Sequence, residues 1–197
     1  MGGALIINGH LHLGVGGYAG NLGQYLIDPI AALAGSDMRG VLDDVSSRTA
    51  LSSDAARLAA KQWAPYLFKE IGTDVRKIRS RQLADAIEHG DKCIEDLVRS
   101  RMRTVGIVLS NFVEFINPDI VLLGGGLVEA MPNLIRSEVK LAIKEHASLN
   151  VRRDLKVVNS KLKRHAVTTG AAQLAFHRLG DERMRRPPND PARKVSN

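Results

Sequence analysis

A run of glycines after an apolar segment is the part of this chain best suited to bind a ligand. Ile120–Leu123 is an unbroken apolar run, which is typical of a strand covered on both faces in a parallel sheet. Gly124, Gly125 and Gly126 follow it directly. Glycines leave backbone N–H groups uncovered, and at a helix N-terminus such groups favour a phosphate or another anion. The glycine turn is therefore either a nucleotide or anion site or a tight strand-to-helix connection.

Two other patterns could carry chemistry, but both are incomplete. Residues 14–19 satisfy the spacing G-x-G-x-x-G/A of a dinucleotide-binding turn. The glycines and the proline that follow oppose the helix that such a turn must open. His10 and His12 lie on one face of a predicted strand and could begin a metal site, but the sequence suggests no third ligand. We assign chemistry to neither pattern.

The elements that would position the glycine turn follow from periodicity and from breaker residues. Asn8-Gly9 between apolar residues predicts a β-hairpin. Pro65 should split or kink a helix over residues 53–71, and Asp91 should cap a long helix that ends near residue 116. The predicted elements are strands at 4–7 and 10–13, helices at 53–71, 80–90, 91–116 and 128–146, strands at 119–123 and 155–158, and a helix at 167–177. This order predicts an α/β fold.

Bulk composition narrows the class of protein. The 197 residues, of which 44% are apolar and 25% charged, are typical of a soluble globular chain, and we expect it to be cytosolic without a membrane span. Cys93 is the single cysteine, so an internal disulfide and a cysteine-rich zinc site are excluded. The net charge of +7 is concentrated partly in a proline-broken tail, and elsewhere basic residues alternate with acidic ones. We therefore expect a solvated surface and no nucleic-acid partner.

Five segments resemble the ROK family (repressor, open reading frame, kinase) in order and spacing. They are Gly2–Gly9, Gly17–Gln24 (family pattern G-x-x-G-E-x-G-H), Gly90-Asp91, Asn117-Pro118 with Gly124–Leu127, and Gly170-Ala171-Ala172. The resemblance implies the carboxyl-terminal lobe of an actin-like (ribonuclease-H-like) ATPase, with a mixed sheet, an N-terminal hairpin and flanking helices. It places this lobe at residues 1–178 and leaves 179–197 as a basic tail that we expect to be disordered.

The chain departs from the family at its zinc site. Family members hold zinc with the last histidine of that pattern and three cysteines of a downstream C-x-C-G-x-x-G-C segment. Gln24, Ala34, Ser36 and Val41 stand at the matching positions. Zinc needs thiolate, imidazole or carboxylate ligands, and none of these side chains supplies one. We therefore expect no structural zinc, and we assign no metal-ligating side chain in this chain.

The resemblance also implies where substrates would bind. Gly124, Gly125 and Gly126 would line the adenosine side of an ATP site, with Mg²⁺ as the accompanying ion. The family's sugar-binding positions correspond to Asn21, Gln24 and Asp43, which are polar but differ from the family's glutamate, histidine and glutamate. The alternative is that Asn21 and Gln24 are loop residues that bond to backbone.

The catalytic aspartate of family kinases and their first phosphate-binding strand belong to an amino-terminal lobe, and the resemblance implies that this sequence begins after both. Phosphoryl transfer requires ATP, metal and acceptor held in line between two lobes. The expectation is a glucokinase-like sugar kinase lobe that shows no turnover as this chain alone. The alternatives are a sugar-sensing or dimerising lobe of a ROK-type regulator without its DNA-binding domain, and a decayed fragment. We expect a homodimer in either functional case.

Overall fold

The computed structural model describes residues 1–33 and 39–185. It divides into one unit that spans Met1–Asn159 and a second that begins at Ser160. The first unit contains β1 (Leu5–Ile7), β2 (His10–His12), a 3-10 turn (Leu22–Gln24), α1 (Pro29–Leu33), α2 (Leu42–Ser46), α3 (Arg48–Ala60), α4 (Pro65–Ile71), α5 (Ser80–Glu88), α6 (Lys92–Ile116), β3 (Ile120–Leu123), α7 (Gly126–Ala130), α8 (Pro132–His146), α9 (Leu149–Arg152) and β4 (Lys156–Asn159). The second contains a 3-10 turn (Lys163–His165) and α10 (Ala166–Arg185).

The N-terminal hairpin is confirmed. β1 pairs antiparallel with β2, with Ile6 opposite Leu11. Asn8 and Gly9 have φ values of 52° and 79°, as a two-residue hairpin turn of the primed type requires. Both Ile6 and Leu11 are exposed, so this hairpin does not contribute its apolar residues to the core.

The parallel strand pair is confirmed, but its predicted burial on both faces is wrong. β3 pairs parallel with β4, from Ile120 opposite Lys156 to Leu123 opposite Asn159. Val121 and Leu123 pack against the helical core, whereas Ile120 is 53% and Leu122 is 64% exposed. Helices cover one face of this pair, and alternation along the strand leaves the other face open. The described strands thus form two separate two-stranded sheets instead of one mixed sheet, because β1 and β2 pair only with each other.

Prolines divide the helical segments. Pro65 is the first residue of α4 and Pro132 the first residue of α8, positions where the missing N–H costs nothing. The predicted split at Pro65 is therefore confirmed. The helix predicted over 128–146 is two helices. Trp63 lies between α3 and α4 with 57% of its surface exposed.

The core of the first unit lies where α6 crosses α8. Val98, Met102 and Val105 of α6 and Val139 and Ile143 of α8 are buried there. The close approach needs a glycine, because a Cβ at Gly106 would lie 2.6 Å from Ala142 Cβ and 2.9 Å from Val139 O. Arg99 joins the two helices at the surface of this core through an ion pair with Glu138 at 2.5 Å.

Asp91 caps a different helix from the one predicted. Its backbone stands at the start of α6, but its side chain makes no capping bond there. The buried carboxylate accepts hydrogen bonds from Tyr66 N at 3.1 Å and Leu67 N at 2.8 Å, in the first turn of α4. Asp91 therefore ties the start of α4 to the start of α6.

The last described helix extends into the region predicted as a disordered tail at 179–197. α10 includes residues 179–185, and residues 186–197 lie outside the described part. Ala34 and Ser36 lie outside it as well. No helix in the described residues combines the length and apolar character needed to cross a membrane.

Candidate functional site

The glycine turn lies at the carboxyl edge of the parallel pair. β3 ends at Leu123, and Gly124 to Gly126 are exposed. Gly125 has φ 99° and precedes the first residue of α7, so a side chain there would be strained. A Cβ at Gly125 would meet nothing within 4 Å. The turn therefore offers open space beside uncovered backbone at the edge where parallel α/β sheets bind their ligands.

Two residues that the sequence analysis did not assign to a site border this turn. Ser80 begins α5, and a Cβ at Gly126 would lie 3.4 Å from its Oγ. The N-cap position of α5 is Arg79, so Ser80 is the first residue of the helix and not its cap. Asn159 ends β4 beside Leu123, and its Nδ2 donates to Pro132 O at 3.0 Å. Asn159 directly follows the strand predicted at 155–158, and this position is the one signal in the sequence that could have identified it.

The residues predicted on the sugar side lie near one another. Residues 25–28 run antiparallel to 40–42, with a bridge between Leu26 and Val41 and a bond from Leu42 N to Tyr25 O at 2.9 Å. This pairing brings the 3-10 turn beside α2. A Cβ at Gly23 would lie 2.2 Å from Asp43 Oδ2, so only glycine allows the carboxylate to approach so closely.

The three sugar-side side chains differ in their partners. Gln24 Oε1 accepts a hydrogen bond from an Arg39 guanidinium nitrogen at 2.9 Å, and Arg39 was not predicted to belong here. Asp43 forms an ion pair with the Met1 amino group. Asn21 is exposed at the start of the 3-10 turn and makes no side-chain capping bond. The group presents amide and carboxylate oxygens, amide N–H donors and one guanidinium, which can bind hydroxyl groups.

The sugar-side residues and the glycine turn are not joined by hydrogen bonds in the part of the chain that the structure describes. None of the hydrogen bonds in the described residues joins Asn21, Gln24 or Asp43 to the glycine turn. The sugar-side group is held by the 3-10 turn and α2, and the glycine turn is held by β3, β4, α5 and α8. They are thus two candidate subsites on separate elements.

Of the residues at the family's zinc positions, Val41 contributes only its backbone to polar contacts. Val41 is buried, and its N–H donates to Asp44 Oδ2 at 3.1 Å. Within residues 1–33 and 39–185, no group of three or more His, Cys, Asp and Glu side chains is arranged to hold a metal ion. The absence of zinc remains a prediction from the residue types at Gln24, Ala34, Ser36 and Val41.

Comparisons with known proteins match this chain to one family. The model of the ROK family matches residues 1–178. A glucokinase of Thermotoga maritima is 25% identical over 181 residues, which cover 91% of this chain and 56% of the glucokinase. The chain thus spans about half the length of the curated relatives it matches.

Solved structures of this family share the fold. A ROK family glucokinase from Streptomyces griseus, solved with glucose and AMPPNP, superimposes with a TM-score of 0.74 at 24% identity, over 88% of this chain and 56% of that one. A ROK family transcriptional regulator, a homologue of the E. coli MLC protein, gives 0.61 at 21% identity over 79% of this chain and 38% of that one. The predicted actin-like ATPase α/β fold is confirmed.

Proposed function

The chain belongs to the ROK family, and we propose that it is the nucleotide- and sugar-binding lobe of an ATP-dependent sugar kinase. The observation that supports this most directly is the open glycine turn at the carboxyl edge of β3 and β4. In this proposal Gly124, Gly125 and Gly126 bind the adenosine side of ATP, because their backbone can approach a ligand without side-chain obstruction. Mg²⁺ would accompany the phosphates.

The sugar side of the proposed site is the group of Asn21, Gln24 and Asp43. Their oxygens and amide N–H groups suit the hydroxyls of a hexose. Gln24 Oε1 accepts a hydrogen bond from Arg39. A bound hexose would therefore exchange a hydroxyl bond for this contact, which lowers its net affinity relative to a site with a free acceptor.

Binding and turnover should separate in this chain. The match covers 56% of the Thermotoga maritima glucokinase, and we propose that the general-base aspartate lies in the part of such kinases outside the match. Phosphoryl transfer depends on positioning the nucleotide, the metal and the hydroxyl together. Residues 1–197 would then bind ATP without transferring its γ-phosphate.

The test combines a coupled assay for ADP with binding of a fluorescent ATP analogue, each run with Mg²⁺ and a panel of hexoses. We expect saturable binding of the analogue and no ADP release above the blank for residues 1–197. Absence of binding at millimolar analogue would remove the nucleotide site. Hexose-dependent ADP release from this chain alone would contradict the proposed separation.

A second candidate is a sugar-sensing, dimer-forming lobe of the regulator type. The likeness to a ROK family transcriptional regulator favours it, as does the set of amides at Asn21 and Gln24, which can bind hydroxyls without catalysis. This candidate predicts a homodimer on gel filtration and thermal stabilisation by a sugar but not by ATP. A monomer stabilised by ATP alone would exclude it.

A further inference from the structure

One residue holds both ends of the segment that contains the glycine turn. Asn159 lies opposite Leu123 in the parallel pair, directly before Gly124. Its Nδ2 also donates to Pro132 O at 3.0 Å, directly after Met131. The segment 124–131, with the glycine turn and α7, therefore begins and ends at Asn159.

Apolar packing fixes the second half of this segment, since Leu127, Val128 and Ala130 pack against the core. The glycine turn before them has no side chains to pack. Glycines carry the largest conformational freedom of any residue, and a single short helical turn is marginal by itself. α7 has five residues, and none of them is fully buried. The bond from Asn159 to Pro132 closes the segment into a short loop, which restricts the conformations of the turn.

An amide side chain at position 159 is partly unfavourable for the stability of the fold. The Pro132 carbonyl can only accept a hydrogen bond, so it fixes which end of the Asn159 amide faces it. The other end, Oδ1, is buried and has no hydrogen-bond partner. A buried acceptor without a partner is unfavourable, and an apolar side chain at the end of β4 would avoid this penalty. The amide at position 159 therefore indicates a functional role in addition to packing.

We propose that Asn159 is a positioning residue for the adenine nucleotide at the glycine turn. It acts through Pro132 and Leu123, without contact to the ligand, by keeping the backbone N–H groups of the turn in one arrangement before the nucleotide arrives. This inference rests on the proposed function for its ligand, whereas the clamp itself is a property of the free chain.

The experiment measures the clamp and the ligand separately in the full chain. Asn159→Ala and Asn159→Asp each remove the donor to Pro132. Asn150→Ala and Asn150→Asp are the matched controls. Asn150 is exposed on α9, and these substitutions change size and charge in the same way as those at Asn159. Hydrogen–deuterium exchange of segment 124–131 reports the clamp, with the buried amides of α6 as internal reference. Titration with a fluorescent ATP analogue reports the ligand.

Both Asn159 variants should speed exchange in 124–131, above all at Glu129 and Met131, whose N–H groups bond to Gly125 O and Leu127 O. The expected increase, and the loss of analogue affinity, is up to about tenfold for one hydrogen bond. The Asn150 variants and the exchange of α6 should not change.

Unchanged exchange in 124–131 would overturn the clamp. Faster exchange with unchanged affinity would overturn its role in nucleotide binding. If the unaltered chain binds no analogue, the proposed function fails together with the ligand assigned to the turn, and the exchange data then decide the clamp alone.

Discussion

At the scale of single residues, Asp91 should contribute most to stability for its size. Its carboxylate is 2% exposed and accepts from Tyr66 N and Leu67 N. Asp91→Ala leaves two N–H groups at the start of α4 without an acceptor, so it should lower the free energy of unfolding by about 2 kcal/mol. Asp91→Asn keeps one acceptor oxygen, so its free energy of unfolding should lie between those of the unaltered chain and Asp91→Ala. Urea denaturation measures all three.

The control for Asp91 is Asp96→Ala on the same helix. Asp96 is exposed and lies 3.7 Å from Lys92 Nζ, and surface ion pairs of this kind contribute less than about 1 kcal/mol. Equal effects of the Asp91 and Asp96 substitutions would show that the bonds to α4 are not the source of the stability.

Residue types predicted some site features, but not which residues share a site. The glycines after β3 were identified because glycine in a strand-to-helix turn has a conformational reason, and Gly125 indeed has φ 99°. Ser80, Arg39 and Asn159 were not identified. Their partners are distant in sequence. Polar side chains such as a hydroxyl, guanidinium or amide follow no periodic sequence pattern from which a distant partner could be predicted.

At the scale of elements, the contact between α6 and α8 should tolerate no side chain at Gly106. Alanine favours a helix interior by about 1 kcal/mol over glycine, but its Cβ would lie 2.9 Å from Val139 O. Separating the helices costs about 1–3 kcal/mol, so Gly106→Ala should be destabilising in thermal or urea unfolding. Ser100→Ala, on the exposed side of α6, should be neutral or slightly stabilising. Stabilisation by Gly106→Ala would disprove the close approach.

The ion pairs on α6 should make stability depend on pH. Hydrogen bonds from Lys92, and then from Arg99, lower the pKa of Glu95 below its ordinary 4.5. The folded state thus favours the carboxylate, so this contribution is complete above the unfolded pKa and is lost as pH falls through the folded value. Arg99 extends the network to Glu138 on α8.

Glu95→Gln tests this dependence. Unfolding free energies of the variant and the unaltered chain should differ at pH 7, and the difference should shrink as pH falls through the folded pKa of Glu95. A Glu95→Gln difference that is the same at pH 7 and pH 3 would contradict the assigned cause.

Periodicity and breaker residues predicted most elements because both act locally. The hairpin, α6, β3 and the split at Pro65 follow from residues within a few positions of one another. The errors arose where a distant partner decides the outcome. Asp91 caps α4 and not α6, and the open face of Ile120 and Leu122 depends on what packs on the sheet. An apolar run alone does not determine how many faces are covered.

At the scale of the whole molecule, ATP should stabilise the chain even without turnover. A ligand that binds only the folded state at ten times its dissociation constant adds about 1.4 kcal/mol, or roughly 3–6 °C in Tm for a chain of this size. Gly125→Ala should abolish this shift, because an alanine at φ 99° is strained and the turn must rearrange. Gly126→Ala should reduce it less, since its Cβ would lie 3.4 Å from Ser80 Oγ, an ordinary contact, and the added methyl group would only obstruct the ligand without straining the turn. Comparing each variant with and without ATP removes its effect on basal stability, and equal shifts in both variants would move the nucleotide away from the turn.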